Sequence, residues 1–177
     1  MFAIVLCRVS AAPWVRIVPL AVTHAIDGFA SGLPSVDDWF HEKALRSMHL
    51  VSTHICETAN GSVVGFFALR TIIVATQGMP NSLKGNTHDG QSTAILLAQM
   101  GLDKEHQGGN GRNLLMAAFR EAAKANSASR VGLFVVDAAT NRLVGFYQKA
   151  GMKHIPNTYR LVLKISVVEK LVSGFQD

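Results

Sequence analysis

The stretch "DKEHQGGNGRNLL", Asp103 to Leu115, sets three glycines, Gly108, Gly109 and Gly111, between an apolar run and a segment with helical spacing. Glycine loses more backbone freedom on folding than any other residue, so a cluster of them needs a reason. A buried strand, a glycine turn and a helix start together make an anion site, because first-turn N–H groups have no intrahelical partner and point outward. Two phosphate loops are excluded. The lysine of GxxxxGK(S/T) is missing, and the dinucleotide GxGxxG pattern with its acidic partner is not matched. Spacing alone leaves a connecting turn and a phosphate cradle both open.

Upstream of the glycines, "STAILLAQMGLD" is nearly continuously apolar, as a buried central strand is. Downstream, Leu114, Leu115, Ala118 and Ala122 keep helical spacing, with Arg120, Glu121 and Lys124 facing out. "RVGLFVVDA" reads as another buried strand, "TNRLVGFYQKAG" as a short helix stopped by Gly151, and "YRLVLKISVV" as a last strand.

Towards the N-terminus, "VRIVPLAV" (Val15 to Val22) has β-branched residues and a proline, which suits an edge strand. "PSVDDWFHEKALRSM" predicts a helix with a capping box from Ser35 to Asp38, Asp37 near its positive end, and Trp39, Phe40, Ala44 and Leu45 facing inward. "STHICETANGSVVGFFALRTIIVA" predicts a hairpin turning at Asn60-Gly61, and Gly78 to Gly90 a loop. These elements predict an α/β fold, with a central mixed β-sheet flanked by helices on both faces. Residues 13–177 form a single domain, and residues 1–12 are an N-terminal extension or an extra strand.

The chain has 177 residues, and its 17 Lys and Arg against 12 Asp and Glu leave a net charge of +5. That excess points mildly to an anionic partner such as a nucleic acid or a phosphorylated cofactor. Cys7 and Cys56 have no metal-ligand spacing and read as reduced thiols of a cytoplasmic protein. "HEKAL" at His41 lacks the second histidine one helical turn on that a zinc site needs, so no metal is expected. The N-terminal apolar run has no basic residues before it and falls far short of the ~20 residues that span a bilayer, so no membrane association is expected.

"LDKEHQGGNGRNLL" resembles the acetyl-coenzyme A motif of the GCN5-related N-acetyltransferases, Q/R-x-x-G-x-G/A. Anchored on the helix side, Gly109 and Gly111 take the glycine positions and His106 the Q/R position; counted from Asp103, Gln107 falls there instead, and the sequence leaves both registers open. The resemblance implies that main-chain amides of Gly109, Asn110, Gly111, Arg112 and Asn113 hold a pyrophosphate, with Gly108 in the turn and His106 or Gln107 at the lip. It also implies that Met100, Gly101 and Leu102 pair through their main chain with the pantetheine arm of acetyl-CoA, the cosubstrate. "FYQKAGM", Phe146 to Met152, resembles the family's F-Y-x-x-x-G-F, with methionine in place of the last aromatic. Tyr147 then corresponds to the tyrosine that protonates the leaving thiolate. Where an asparagine often precedes that tyrosine, this chain has Thr140.

"HAIDGFASGLPSVDDWFHEKA" resembles the F-x-C-G-x-x-x-L-D-x-W/F-L opening of the family's toxin branch, through Phe29, Gly32, Asp37 or Asp38, and Trp39, with Ser31 in place of cysteine. "VVGFFAL", Val63 to Leu69, is similar to that branch's V-V-G-Y-Y-A-L strand. The resemblance therefore implies acetylation of the α-amino group of aminoacyl-tRNA, a block on translation, a ribbon-helix-helix antitoxin as partner, and a homodimer. Arg46, Arg70, Lys84, Arg112, Arg120, Lys124, Arg142 and Lys153 are contributors to RNA phosphate contacts on that view, or simply a solvated surface. A free α-amine titrates near ~8, so a dedicated base is less needed than for a lysine, and Glu57, Glu105 or a water are left unranked. Two other functions stay open: acetylation of a small amine, a protein N-terminus or a modified nucleotide, and a non-catalytic binding module.

Overall fold

In the computed structural model, residues 11–84 and 89–174 are described. Cys7 and nearly all of the expected N-terminal extension lie outside the described residues. The elements run β1 (Arg16–Pro19), α1 (Pro34–Asp38), a π-turn (Trp39–Lys43), β2 (Ser52–Glu57), β3 (Val63–Ala75), a 3-10 turn (Asn81–Leu83) and β4 (Gln91–Leu102). A second 3-10 turn (Lys104–His106), α2 (Asn110–Ser129), β5 (Leu133–Asp137), α3 (Asn141–Lys149), β6 (Lys153–His154), β7 (Arg160–Lys164) and α4 (Ile165–Ser173) complete the order.

The strands form one seven-stranded sheet in the order β1-β2-β3-β4-β5-β7-β6. Only the β4–β5 contact is parallel, because α2 returns the chain to the starting end of the sheet; the other pairings are antiparallel. The sheet is mixed, as expected, and the proline-bearing β1 lies at an edge. The Asn60-Gly61 turn also forms, with Gly61 at φ +84° and Thr58 N–H bonded to Ser62 O at 3.0 Å.

Successive strand residues point to opposite faces, and the core divides accordingly. Ile55, Val63 and Phe66 pack with Phe29, Phe40 and Ala44 beneath α1 and the π-turn, and Trp39 and Leu45 lean on the same cluster. Cys56, Val64 and Phe67 face Leu114, Leu115, Ala118 and Phe119 of α2, together with Val144 and Tyr147 of α3 and Val168 of α4. A third cluster around Leu133, Val135 and Val162 is covered by Met79 and Leu83 from the β3–β4 connection. Each fully buried aliphatic or aromatic side chain contributes about 1.5–3 kcal/mol, so Phe40, Phe66, Phe67 and Phe119 are the main anchors of these layers.

Three expectations need correction. The last strand ends at Lys164, and Ile165–Ser173 is a helix on α2. Its β-branched residues resemble a strand, but Ile165 and Val168 are buried at helical spacing and Leu171 and Val172 pack beside them. The capping box does not form: Leu33 is the N-cap, Pro34 opens the helix, and no side chain caps it. Proline's fixed φ already suits a first helical position, and Asp37 turns back to Ser31 instead. Finally, Glu121 does not face freely outward; its side chain is one-fifth exposed and lies between Lys124 (2.6 Å) and His54 (3.6 Å). The Gly78–Gly90 connection contains a 3-10 turn at Asn81–Leu83, and residues 85–88 of it are outside the described set.

One close approach ties α1 to the sheet. A Cβ on Gly101 would lie 2.8 Å from Phe66 Cε1, 2.9 Å from Val36 Cγ1 and 3.3 Å from Phe29 Cζ. Gly101→Ala is therefore expected to destabilise the fold by about 1–3 kcal/mol through overpacking, read as a lowered urea midpoint with unchanged slope. An unchanged midpoint would contradict this packing.

Candidate active site

The site begins where two strands part. β4 pairs with β5 only from Ala94 to Leu97, whereas it pairs with β3 along its whole length to Leu102. The β3–β4 register shifts at Ala68/Leu69, so Ala98 is the extra residue of a bulge, and bulges bend a strand and increase its twist. Beyond Leu97, β5 diverges and soon gives way to α3. Main-chain groups alternate along an antiparallel strand. Asp103 N–H bonds to Val64 O of β3, so Met100 turns its own N–H and C=O, and Leu102 its N–H, to the opposite, open edge, while Leu102 O accepts Gln107 Nε2 at 3.2 Å. Among the described residues no strand pairs with that edge. Gly101 points the other way, and its missing side chain serves packing against Phe29 and Val36.

The glycine loop follows directly. Asp103 caps the 3-10 turn by accepting Glu105 N–H at 3.0 Å. Gly108 (φ +73°) and Gly109 (φ +101°) then reverse the chain in the left-handed region, which L-residues rarely adopt. Gly109 is the N-cap of α2 and has no side chain, so the N-cap residue itself supplies no acceptor to the helix's first-turn amides. A Cβ at Gly108 or Gly109 would meet nothing within 4 Å, so the loop faces open space. Uncapped amides at the positive end of a 20-residue helix favour an anion there.

The other loop residues brace it. Asn110 Nδ2 donates to His106 O at 2.9 Å, and buried Asn113 donates to Asn110 Oδ1 at 3.1 Å. Gln107 Nε2 donates to Ser31 O (2.8 Å) and Leu102 O (3.2 Å), so its amide points into the protein. His106 borders a cavity of about 360 Å³ shared with Thr58, Asn60, Ser62 and Val64 of the β2–β3 hairpin. Its Nδ1 lies 3.9 Å from Asp103 Oδ1, beyond hydrogen-bond reach. Arg112 is half-buried in the first turn of α2.

The first turn of α2 meets α3, since a Cβ on Gly111 would lie 3.5 Å from Phe146 Cε2. Tyr147 follows Phe146, with ring centroids 5.0 Å apart. Thr140 sits at the N-cap of α3 and accepts Leu143 N–H, and Gly151 (φ +93°) follows the helix end. Tyr147 is only 5% exposed, and its hydroxyl has no hydrogen-bond partner among the described residues. Burial pushes the phenol up to about 12, so it stays protonated and can donate across the physiological range. Cys56 is likewise pushed up to about 12 by burial and remains an inert thiol.

The segment before α1 was legible only in part. Phe29 packs edge-on against Phe40 and Phe66, and Gly32 requires its φ of +80°. Of the two aspartates, Asp37 makes the contact, accepting from Ser31 Oγ at 2.6 Å and Ser31 N–H at 2.8 Å. Desolvation pushes the Asp37 carboxyl up, but the bonds from the Ser31 hydroxyl and the N–H groups of Ser31 and Gly32 outweigh it and hold it below the usual range. Glu57 is buried and engaged by Arg16 (3.0 Å) and His24 (3.6 Å) on β2, roughly 10 Å from β4 across two strand spacings. Glu105 is exposed on the 3-10 turn. Of the basic residues, Lys124 is paired with Glu121 and Lys153 bonds Ser82 Oγ at 2.8 Å, while Arg46, Arg70, Arg120 and Arg142 are exposed. A cavity of about 670 Å³ lined by His54, Arg70, Ile95, Glu121 and Lys124 contains none of the loop residues or Tyr147. Among the described residues no group of three His, Cys, Asp or Glu side chains could hold a metal, and no helix is long and apolar enough to cross a membrane.

No protein-family model matches the chain. A tRNA-acetylating toxin of Mycobacterium tuberculosis is 31% identical over 125 residues, covering 69% of this chain and 74% of that protein. Among solved structures, a tyrosine-to-phenylalanine variant of KacT superposes with a TM-score of 0.82 at 17% identity, over 89% of this chain and 99% of that one. AtaT complexed with acetyl-methionyl-tRNAfMet gives 0.79 at 17% identity, over 88% and 98%. AtaTR bound with acetyl-CoA gives 0.72 at 18% identity, over 88% and 96%. These structures share the mixed sheet and its helices, and the sequence relationship to the mycobacterial protein fixes the kinship. The chain belongs to the tRNA-acetylating toxins, a branch of the GCN5-related N-acetyltransferases.

Proposed function

We propose that this protein transfers the acetyl group of acetyl-CoA to the α-amino group of aminoacyl-tRNA and so halts translation. The observation that carries the reading is the open edge of β4 meeting an uncapped helix N-terminus, with a protonated, unpartnered phenol on the adjoining helix. The family relationship supplies the acceptor class. The donor set fits acetyl-CoA: amides of Gly109 to Asn113 meet the pyrophosphate, and Met100 with the Leu102 N–H offers main-chain groups to the amides of the pantetheine arm. When bound, the thioester supplies an activated acyl group.

The chain's residues then need to do little more than position and donate. The amine nitrogen bonds to the carbonyl carbon as the carbon–sulfur bond breaks, Tyr147 Oη gives its proton to the departing sulfur, and the amine's extra proton passes to water. The α-amine titrates near ~8, so about a fifth of it is neutral near pH ~7.4 without a base, far more than of a lysine amine. Neither Glu57, locked to Arg16 and His24, nor exposed Glu105 takes that role. Holding the two reactants in line supplies much of the rate. The reaction belongs in the cytoplasm, where charged tRNA is. Exposed Arg46, Arg70, Arg120 and Arg142 contribute to RNA contact within a chain of net charge +5. The protein acts as a homodimer, restrained by a ribbon-helix-helix antitoxin, as in the family it resembles.

Calorimetric titration is expected to show acetyl-CoA binding to the wild type. Gly109→Ala, forced to φ +101°, should weaken that binding by roughly tenfold or more. No binding by the wild type would remove the enzyme reading.

Tyr147→Phe should leave acetyl-CoA affinity unchanged and lower turnover by about 10²–10⁴-fold, the usual scale of general acid catalysis. Unchanged turnover would remove Tyr147 as the donor. The phenolate absorbance lost in this variant should be the step near pH 12. The sign follows from linkage: the folded state holds this proton more tightly than an unfolded phenol near ~10. Its contribution to stability is complete below pH ~10 and is lost as pH rises towards 12.

A further inference from the structure

The glycine loop is fastened to the segment before α1 by a carboxylate that precedes it. Asp103 Oδ1 accepts Glu105 N–H at 3.0 Å, while its Oδ2 accepts Ala30 N–H at 3.0 Å. Lys104 N–H returns a bond to Ala30 O at 2.9 Å, and Gln107 Nε2 donates to Ser31 O at 2.8 Å. Ser31 N–H goes to Asp37 of α1. Every main-chain polar group of Ala30 and Ser31 is thus taken, two by the chain around Asp103, one by Gln107 and one by α1. The Asp103 side chain is only 13% exposed.

The two fastened parts line opposite sides of the open β4 edge. Phe29 and Val36 reach the face of Gly101 on the α1 side. The glycine loop, α2 and α3 with Tyr147 belong to the other side, where Met100 also packs. Whatever fixes the loop against Ala30 and Ser31 therefore fixes the width of the cleft between them.

We propose that Asp103 is a positioning residue that couples acetyl-CoA binding at the glycine loop to acceptor binding on the α1 side. The proposal rests on the acetyltransferase reading and deepens it. Ordering the loop around a pyrophosphate orders Ala30 and Ser31 through Asp103, so the acceptor binds a wall already set. Coupling of this kind is reciprocal, and each ligand raises the affinity of the other by the same factor. Asp103→Asn is the sharp variant. It keeps the shape of the side chain but replaces one acceptor oxygen by an amide NH₂, which must face either the Ala30 or the Glu105 N–H.

The experiment measures charged-tRNA affinity with and without saturating coenzyme A, an unreactive probe, in wild type, Asp103→Asn and Gln107→Met. Wild type should bind charged tRNA about 5- to 150-fold more tightly when coenzyme A is present, the range of typical coupling. Asp103→Asn should bring that ratio close to one and weaken coenzyme A by roughly tenfold, with turnover at saturation of both substrates within about twofold of wild type. Gln107→Met, which loses both donated bonds, should lower the ratio too. A wild-type ratio retained in both variants overturns the proposal, whatever their melting temperatures. A wild type that binds no coenzyme A overturns the acetyltransferase reading beneath it instead.

Discussion

The parting of β4 from β5 after Leu97 is the constraint on which the rest of this molecule depends. Two parallel strands that stayed paired would leave a closed sheet with no main chain to offer. The Ala98 bulge bends β4 while β3 holds it on one side, so Met100 keeps its N–H and C=O, and Leu102 its N–H, directed at a gap. Unpaired main-chain groups at a sheet edge accept another extended chain, and here the edge leads straight into a helix start whose geometry favours an anion. The cleft, the glycine loop and the tyrosine helix all follow from that divergence.

Burial does two different jobs around the cleft. At Tyr147 it raises the phenol to about 12 and so preserves a proton donor without any partner side chain. At Gly101 it excludes even a methyl group, bringing Phe29 and Val36 against the strand that carries the open edge. The hydrogen bonds of Asp103 and Gln107 then join the α1 side to the loop side. The site is held by strand geometry, a close apolar contact and a short polar clasp, with few groups that need to ionise.

Much of this was legible in the sequence, because its causes are local. Strand-like apolar runs at Gln91–Leu102 and Leu133–Asp137, the Asn60-Gly61 turn, and the glycines ahead of Leu114 announce their own conformations. Residues 165–168 were misread as strand because β-branched residues favour strands, and the helix Ile165–Ser173 is decided by tertiary packing on α2. The Ser35–Asp38 cap failed for a similar reason, with Asp37 drawn to Ser31. The two glycine-loop registers also could not be separated by spacing. In the fold, Gln107 faces inward to Ser31 O and Leu102 O, and His106 borders the hairpin cavity. The clasp from Asp103 to Ala30 leaves no pattern in the chain, since one partner is a main-chain amide distant in sequence.

The central claim is chemical, and mass spectrometry of charged tRNA incubated with the protein and acetyl-CoA tests it most directly. Digestion should release the terminal adenosine carrying an aminoacyl group one acetyl heavier, dependent on both protein and acetyl-CoA. Aminoacyl adenosine recovered unmodified, from a preparation that binds acetyl-CoA, would contradict the account.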